Sequence, residues 1–98
     1  MIEIRQTERY IKWFEKLKNR RARARIAIRI RWVSLGNMGD VKPVGNGISE
    51  LRIDYGPGYR VYFTQRNDPL IILLAGGDKT TQGSDIQKAK KLALEIEV

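Results

Sequence analysis

Residues 48–65 have the sequence ISELRIDYGPGYRVYFTQ, and this stretch decides the fold. Apolar and polar residues alternate on both sides of Gly56-Pro57-Gly58, which is the pattern of two half-buried strands joined by a tight turn. The sequence therefore predicts a β-hairpin with strands from Ile48 to Tyr55 and from Tyr59 to Gln65, joined by a three-residue connection.

Because side chains alternate across a strand, the hairpin divides into two faces. The predicted core face is apolar or aromatic and comprises Leu51, Ile53, Tyr55, Tyr59, Val61 and Phe63. The opposite face is polar and comprises Glu50, Arg52, Asp54, Arg60, Tyr62 and Thr64. If Tyr55 pairs with Tyr59, then Arg52 lies opposite Tyr62 and Asp54 lies opposite Arg60.

The segments on either side of the hairpin also have β character. Leu70–Ala75 is an unbroken apolar run, which indicates a central strand covered on both faces, and the chain is expected to leave the sheet through Gly76-Gly77-Asp78-Lys79. Val41–Val44 is a shorter candidate strand. Pro43 cannot donate a hydrogen bond to a neighbouring strand, so we expect this strand at the edge of the sheet, followed by a turn at Gly45-Asn46-Gly47.

Helical patterns lie towards both ends of the chain. After a first strand at Ile2–Arg5, Thr7 is a suitable N-cap for a helix with an apolar stripe that consists of Tyr10, Trp13, Phe14 and Leu17. This stripe is predicted to be core. The last helix is expected to begin between Thr80 and Ser84, with Ser84 and Gln87 forming a capping box.

Residues 20–35 fit two patterns. Ala and Ile alternate with Arg almost as they would in a strand, whereas a helix would place Ile26, Ala27, Ile30 and Val33 on one face. The length and the alanine content favour the helix. Trp32 is expected in the core. The element order is then β-α-α-β-β-β-β-α, an α+β fold in a single domain over residues 1–98.

The net charge of +8 is unevenly distributed. Residues 1–35 contain 11 Lys/Arg and 3 Asp/Glu, a balance of +8, whereas residues 36–98 contain 8 of each sign. This asymmetry indicates a polyanionic or acidic partner, although a solvated helix surface explains it as well.

The chain has no cysteine and no histidine, so the sequence predicts no disulfide, no metal site and no cofactor. It has no apolar run long enough to cross a membrane and no signal-like start, so we expect a cytoplasmic protein without membrane contact.

Four side chains suit the chemistry of a phosphodiester. Arg52 and Arg60 share the polar face with Tyr62, and Lys79 follows the central strand closely enough to reach it. Guanidinium groups bind phosphate oxygens, a lysine among cations loses its proton more readily, and aromatic rings stack on bases. This set is adequate for a metal-free ribonuclease. The alternative is a pair of surface ion pairs, Asp54–Arg60 and Glu50–Arg52.

Two blocks, ELRIDYGPGYRVYF at residues 50–63 and LLAGGDKTTQ at residues 73–82, resemble the RelE/ParE toxins, most closely the HigB-like addiction module killer branch. The resemblance extends over nearly the whole chain, and it implies a helical hairpin after the first strand, hence a helix at residues 20–35. It also implies an antitoxin partner, commonly with a helix-turn-helix DNA-binding domain, which would bring the complex to operator DNA.

The resemblance assigns roles position by position. Arg60 matches the strand arginine associated with catalysis, Arg52 approximately matches a catalytic lysine, and Lys79 matches a basic residue after the central strand. Glu50 stands where a second lysine is expected, and no tyrosine or histidine follows Lys79, so Tyr62, Asp78 and Gln82 are candidates for the missing contributor. The residues predicted to bind RNA and the ribosome are Arg21, Arg23, Arg25, Arg29 and Lys42.

The resemblance implies one of two activities. RelE- and HigB-like members cleave mRNA in the ribosomal A site, and ParE-like members poison DNA gyrase. We expect the first, with the ribosome and mRNA as partners, and we retain gyrase inhibition and an inactive toxin that only binds its antitoxin as alternatives.

Overall fold

The computed structural model describes residues 1–67 and 69–96. Within them lie five strands, three α-helices and one short 3-10 helix. In chain order these are β1 (Glu3–Gln6), α1 (Glu8–Lys16), α2 (Arg20–Ser34), β2 (Val41–Gly45), β3 (Ile48–Ile53), β4 (Tyr59–Arg66), β5 (Leu70–Asp78), the 3-10 helix (Lys79–Thr81) and α3 (Gln82–Glu95). The α+β class and the predicted element order are confirmed.

The strands form one sheet in the order β1-β5-β4-β3-β2. Only β1 and β5 pair in parallel, and the other neighbours are antiparallel. As predicted, β2 is an edge strand that contains Pro43. It connects to β3 through Asn46 and Gly47, both at positive φ, which is the backbone conformation of a tight two-residue hairpin turn.

Helices cover the two faces of the sheet. Helices α1 and α2 pack on one face around a core that includes Tyr10, Ile26, Val33, Val61 and Leu73. Helix α3 packs on the other face around a second core that includes Ile48, Tyr62, Leu74, Ala75 and Ala89. The predicted central strand β5 contributes to both cores, as its unbroken apolar run indicates.

Side-chain caps begin the first two helices. The Thr7 side chain accepts a hydrogen bond from the backbone N–H of Tyr10, which confirms the predicted N-cap, and the stripe from Tyr10 to Leu17 packs in the core. Asn19 caps α2 in the same manner, and residues 20–34 are helical. Two details of α2 were predicted wrongly. Ala27 is exposed, and Trp32 is 42% exposed rather than in the core, because the buried face runs through Ala22, Ile26 and Val33.

The register of the central hairpin differs from the prediction by two residues. Strand β3 ends at Ile53, which pairs with Tyr59, so residues 54–58 form a five-residue connection. Within it the N–H groups of Tyr55 and Gly58 donate to the carbonyls of Ile53 and Tyr55. As a result Arg52 lies opposite Arg60, not opposite Tyr62.

The transition from β5 to α3 was predicted correctly in its position and incorrectly in its capping. Gly76 and Gly77 are part of the strand, which ends at Asp78. Glycine is required at both positions, because a Cβ at Gly76 would overlap the Trp13 ring and a Cβ at Gly77 would overlap the Asp85 carboxylate. Helix α3 begins at Gln82, within the predicted range from Thr80 to Ser84. The predicted capping box of Ser84 and Gln87 is wrong, because the capping box is formed by Asp78 and Thr81 around the preceding 3-10 helix. In the described part of the chain, no helix is long and apolar enough to cross a membrane.

Candidate functional site

A cavity of about 390 Å³ opens beside the hairpin connection and brings together three of the predicted residues. Arg52 and Arg60 enter it from the middle of the sheet, and Lys79 enters from the 3-10 helix after β5. The complete lining is Asp40, Arg52, Ile53, Asp54, Gly56, Pro57, Gly58, Arg60 and Lys79. The polar end of one sheet face is therefore open to solvent.

The close approach of these cations follows from the strand register. Arg52 and Arg60 are direct partners on the same face, and Gly77, the partner of Arg60 on the other side, precedes Lys79 by two residues. Gly58, at positive φ, brings the hairpin connection close to both Arg60 and Lys79. Like charges directly opposite each other are unfavourable, so this arrangement requires an anionic neighbour or ligand.

That neighbour is Glu50, which is completely buried beneath the two arginines. Arg52 Nε donates to Glu50 Oε2 at 3.3 Å, and Arg60 Nε lies 3.3 Å from Glu50 Oε1 as an ion pair without hydrogen-bond alignment. The predicted Glu50–Arg52 pair is present, but it is not a surface ion pair, because the Glu50 side chain is buried. In the described residues Arg60 pairs with Glu50, and the predicted Asp54–Arg60 pair is wrong because the register shift places Asp54 beyond the end of β3.

Two further donors hold the Glu50 carboxylate. Gln82 Nε2, at the start of α3, donates to Oε1 at 2.6 Å, and the Tyr62 hydroxyl donates to the same oxygen at 3.4 Å. Tyr62 is fully buried, so it supports Glu50 from behind and does not line the cavity. Burial, together with the nearby Glu50 and Asp85 carboxylates, raises the pKa of Tyr62, which keeps the phenol protonated as a donor.

The two arginines differ in exposure. The Arg60 side chain is 13% exposed, and its Nη1 donates to the carbonyls of Gly58 and Tyr59 at 3.3 and 3.4 Å. The Arg52 side chain is 33% exposed. Lys79 is exposed next to Asp78, whose pKa is lowered by the hydrogen bond from the Thr80 side chain. Arg60 is therefore less exposed than Arg52 and has more hydrogen-bond contacts, whereas Lys79 is exposed.

The residues predicted to bind RNA fall into two groups. Arg29 reaches the cavity wall, where Nη1 donates to the Arg52 carbonyl at 2.5 Å and Nη2 to those of Met38 and Asp40 at 3.3 and 3.4 Å. Arg23 donates to the Leu17 carbonyl. Arg29 and Arg23 therefore form the first group, whose guanidinium groups bind backbone carbonyls. The second group consists of Arg25, which lies over the Tyr55 ring at 4.7 Å, and of the exposed Arg21 and Lys42.

Sequence reasoning missed a second basic surface. A cavity of about 540 Å³ lies between α1 and α3 beside Gly76 and is lined by Glu8, Arg9, Lys12, Trp13, Lys16, Gly76 and Lys88. The helical spacing of the cations on α1 was the available signal. Among the described residues, no cluster of Asp or Glu has the composition of a metal site.

The hairpin cavity is suited to a phosphate group. Guanidinium nitrogens can bind two phosphate oxygens and stabilise additional negative charge at phosphorus, while a neighbouring ammonium group supplies a third cation. The Glu50 carboxylate partly offsets the positive charge of the two arginines that line the cavity.

Comparisons with known proteins agree with this fold. A family model described as "Phage derived protein Gp49-like (DUF891)" matches residues 12–96. An uncharacterized protein of Haemophilus influenzae is 54% identical over 95 residues, which span 97% of this chain and 96% of that protein. A solved structure of a mutant E. coli toxin RelE in the free state has a TM-score of 0.72 at 15% identity and covers 98% of both chains. The chain therefore belongs to the Gp49-like family and has a RelE-like fold.

Proposed function

We propose that this protein is the toxin of a type II toxin–antitoxin module and that it cleaves mRNA on the ribosome without a metal ion. The observation that carries the proposal is the convergence of Arg52, Arg60 and Lys79 on one solvent-open cavity. Three cations around a cavity of this size match a single phosphodiester and its charged transition state.

The proposed reaction uses the 2′-hydroxyl of the RNA as the nucleophile. Its oxygen forms a bond to phosphorus, the bond from phosphorus to the 5′-oxygen of the next nucleotide breaks, and a 2′,3′-cyclic phosphate results. Arg60 and Arg52 stabilise the negative charge on the phosphoryl oxygens. Lys79 takes the proton from the 2′-hydroxyl, or it supports the charge electrostatically while water takes that proton. The departing 5′-oxygen takes up a proton from water and leaves as a 5′-hydroxyl group.

We assign docking on ribosomal RNA to the basic surface of α2, together with Lys42. Arg21, Arg25 and Lys42 are exposed. Arg23 and Arg29 donate to backbone carbonyls of the protein. They can therefore contribute to docking only through those guanidinium nitrogens that do not make these internal hydrogen bonds. Cations that neutralise RNA phosphates make binding weaken steeply as salt increases, so this docking should be salt-dependent.

The proposal includes a cytoplasmic location and an antitoxin, because RelE-like toxins generally pair with antitoxins. An antitoxin that has a helix-turn-helix domain would also carry the complex to operator DNA. The antitoxin should suppress the toxicity of this chain when the two are produced together.

The test is induction of the protein in bacteria, followed by primer extension on cellular transcripts. We expect growth arrest and cuts at positions linked to the reading frame. Arg60→Ala and Lys79→Ala should each abolish both effects while the protein remains folded. Lys18→Ala, which removes an exposed cation between α1 and α2, is the matched control. Unchanged toxicity of the Arg60 and Lys79 variants would refute the assigned roles.

Gyrase inhibition is the second candidate function, and two features of the sequence favour it. Glu50 replaces a lysine expected by resemblance, and no tyrosine or histidine follows Lys79. Under this function, induction triggers a DNA-damage response while transcripts remain intact. An inactive toxin that retains only antitoxin binding predicts no phenotype at all.

A further inference from the structure

The Glu50 carboxylate lies between two arginines that would otherwise repel each other at the candidate site. Arg52 and Arg60 are direct cross-strand partners on one face of the sheet, an arrangement that brings their side chains close together and is unfavourable for like charges. Glu50 precedes Arg52 by two residues on the same strand, so it shares that face, and it has no exposed surface. A buried carboxylate between two guanidinium groups offsets their repulsion.

The atoms that Glu50 contacts are specific. It meets the inner nitrogen, Nε, of each arginine at 3.3 Å, Arg52 through Oε2 and Arg60 through Oε1. The Arg60 Nη1 is also held by the Gly58 and Tyr59 carbonyls. These contacts leave both terminal nitrogens of Arg52 and Nη2 of Arg60 for a ligand in the cavity that the two side chains line.

The carboxylate itself is held by two other elements. Gln82 of α3 donates to Oε1 at 2.6 Å, and Tyr62 of β4 donates to the same oxygen at 3.4 Å. Strand β3, strand β4 and helix α3 therefore meet at one side chain. This arrangement restricts the carboxylate more than a surface ion pair would, because the carboxylate is buried and its partners come from three different elements.

We infer that Glu50 is a positioning residue: its buried carboxylate holds Arg52 and Arg60 by their inner nitrogens, so that their outer nitrogens face one phosphate group. The effect of this positioning on catalysis rests on the proposed function, whereas the positioning itself does not. The role is distinct from that of a general base, because Glu50 lies beneath the arginines and is not among the residues that line the cavity.

The inference predicts an unusual kinetic signature for Glu50→Gln. The substitution preserves shape but removes a negative charge next to the site, so the local potential becomes more positive and an anionic substrate binds as well or better. The arginines lose their fixed orientation, so catalysis falls. We expect kcat to fall about 10- to 100-fold while KM stays the same or decreases. A purely structural defect would lower the amount of folded enzyme without this split.

The experiment compares the wild type with Glu50→Gln by NMR of the arginine Nε–Hε groups and by cleavage of mRNA on programmed ribosomes. In the wild type we expect slow hydrogen exchange at Arg52 Nε, which donates to Glu50, and a joint shift of the Arg52 and Arg60 Nε resonances on titration with inorganic phosphate. In Glu50→Gln we expect faster exchange, loss of the joint shift and the kinetic split. Glu15→Gln, the same change at an exposed position on α1, should match the wild type in every measurement.

Each outcome bears on one proposal. Unchanged Nε exchange in Glu50→Gln overturns the positioning role whatever the cleavage result, and released arginines with unchanged kcat overturn it as well. If the wild type cleaves no RNA but Glu50→Gln releases the arginines and abolishes the joint phosphate shift, the proposed ribonuclease function fails and the positioning role is supported.

A second variant keeps the test decisive if Glu50→Gln does not fold. Gln82→Ala retains the carboxylate and removes only its 2.6 Å hydrogen bond. It should accelerate exchange at Arg52 Nε to a smaller degree than Glu50→Gln does. Gln87→Ala, at an exposed position on the same helix, is its control and should leave that exchange unchanged. Equal exchange in the two variants would overturn the inference.

Discussion

Arg52 of β3 lies directly opposite Arg60 of β4, and both side chains contact the same buried carboxylate. The two arginines are not equivalent, because Arg60 has the less exposed side chain and makes additional bonds to the hairpin connection. Their contributions to stability should therefore differ, although their charges are equal.

We expect Arg60→Ala to lower the free energy of unfolding by about 1.5–3 kcal/mol, because it removes hydrogen bonds from a charged donor and leaves Glu50 with one cation. Arg52→Ala should cost about 1 kcal/mol or less, because its side chain is one-third exposed and its loss also removes the repulsion. Urea denaturation of both variants measures the difference. A larger cost for Arg52→Ala would contradict the assignment.

Arg29 and Arg21 belong to the same helix but should respond differently to substitution. Arg29→Ala removes the donor to the carbonyls of Arg52, Met38 and Asp40, so we expect a loss of about 1.5–3 kcal/mol. Arg21→Ala removes an exposed charge and should change stability by less than about 0.5 kcal/mol. It should nevertheless weaken ribosome binding and reduce its salt dependence. Denaturation and ribosome co-sedimentation separate the two effects.

Two buried tyrosines should make the protein sensitive to alkali. Burial raises the pKa of Tyr10 and Tyr62 above the ordinary value of 10.0. Below pH 10 both are protonated in the folded and unfolded states, so they add no pH dependence. Above pH 10 the unfolded chain loses these protons and the folded chain keeps them, so stability falls by about 1.4 kcal/mol per pH unit for each tyrosine.

The alkaline loss is tested by denaturation between pH 9 and 12. Tyr62→Phe should reduce the slope of stability against pH by the contribution of one tyrosine, about 1.4 kcal/mol per pH unit. The double variant Tyr10→Phe/Tyr62→Phe should reduce the slope by twice that amount. A decline as steep in the double variant as in the wild type would show that other groups cause it.

Two glycines, Gly77 and Gly83, provide a matched test of the packing at the end of β5. In Gly77→Ala the new methyl group would overlap the Asp85 carboxylate and lie 2.9 Å from the Thr81 hydroxyl, so we expect a loss of about 1–3 kcal/mol. In Gly83→Ala the methyl group meets nothing within 4 Å, and alanine favours the helix, so stability should rise by about 0.5–1 kcal/mol. Equal effects in thermal unfolding would contradict the close approach of α3 to β5.

Local patterns predicted most of the fold. Three local features each predicted one element: the stripe from Tyr10 to Leu17 predicted α1, the apolar run predicted β5, and Pro43 predicted an edge strand. They could do so because periodicity and backbone chemistry act within a few residues. The register of the hairpin was not predictable in this way. The connection is held by hydrogen bonds around Tyr55 and Gly58, and its length of five residues decides that Arg52 meets Arg60.

The candidate site was predicted in part. Alternation along the strands placed Arg52 and Arg60 on one face, and the position of Lys79 after β5 brought it to the same cavity. Glu50 and Gln82 were not recognised as a pair, since their contact joins residues 32 positions apart and depends on how α3 packs over the sheet. The same packing buries Tyr62, which the strand pattern alone assigned to an open polar face.

The exposure of Trp32 has a practical consequence for spectroscopy. Trp32 is on the outer surface of α2, whereas Trp13, the other tryptophan of the chain, packs against Gly76 and next to Tyr59. The fluorescence of the exposed Trp32 should therefore be emitted at a longer wavelength than that of Trp13, and iodide should quench it more readily. Two single-tryptophan variants thus separate the signals: Trp13 reports the integrity of the fold, and Trp32 reports occupancy of the arginine-rich helix without any attached dye.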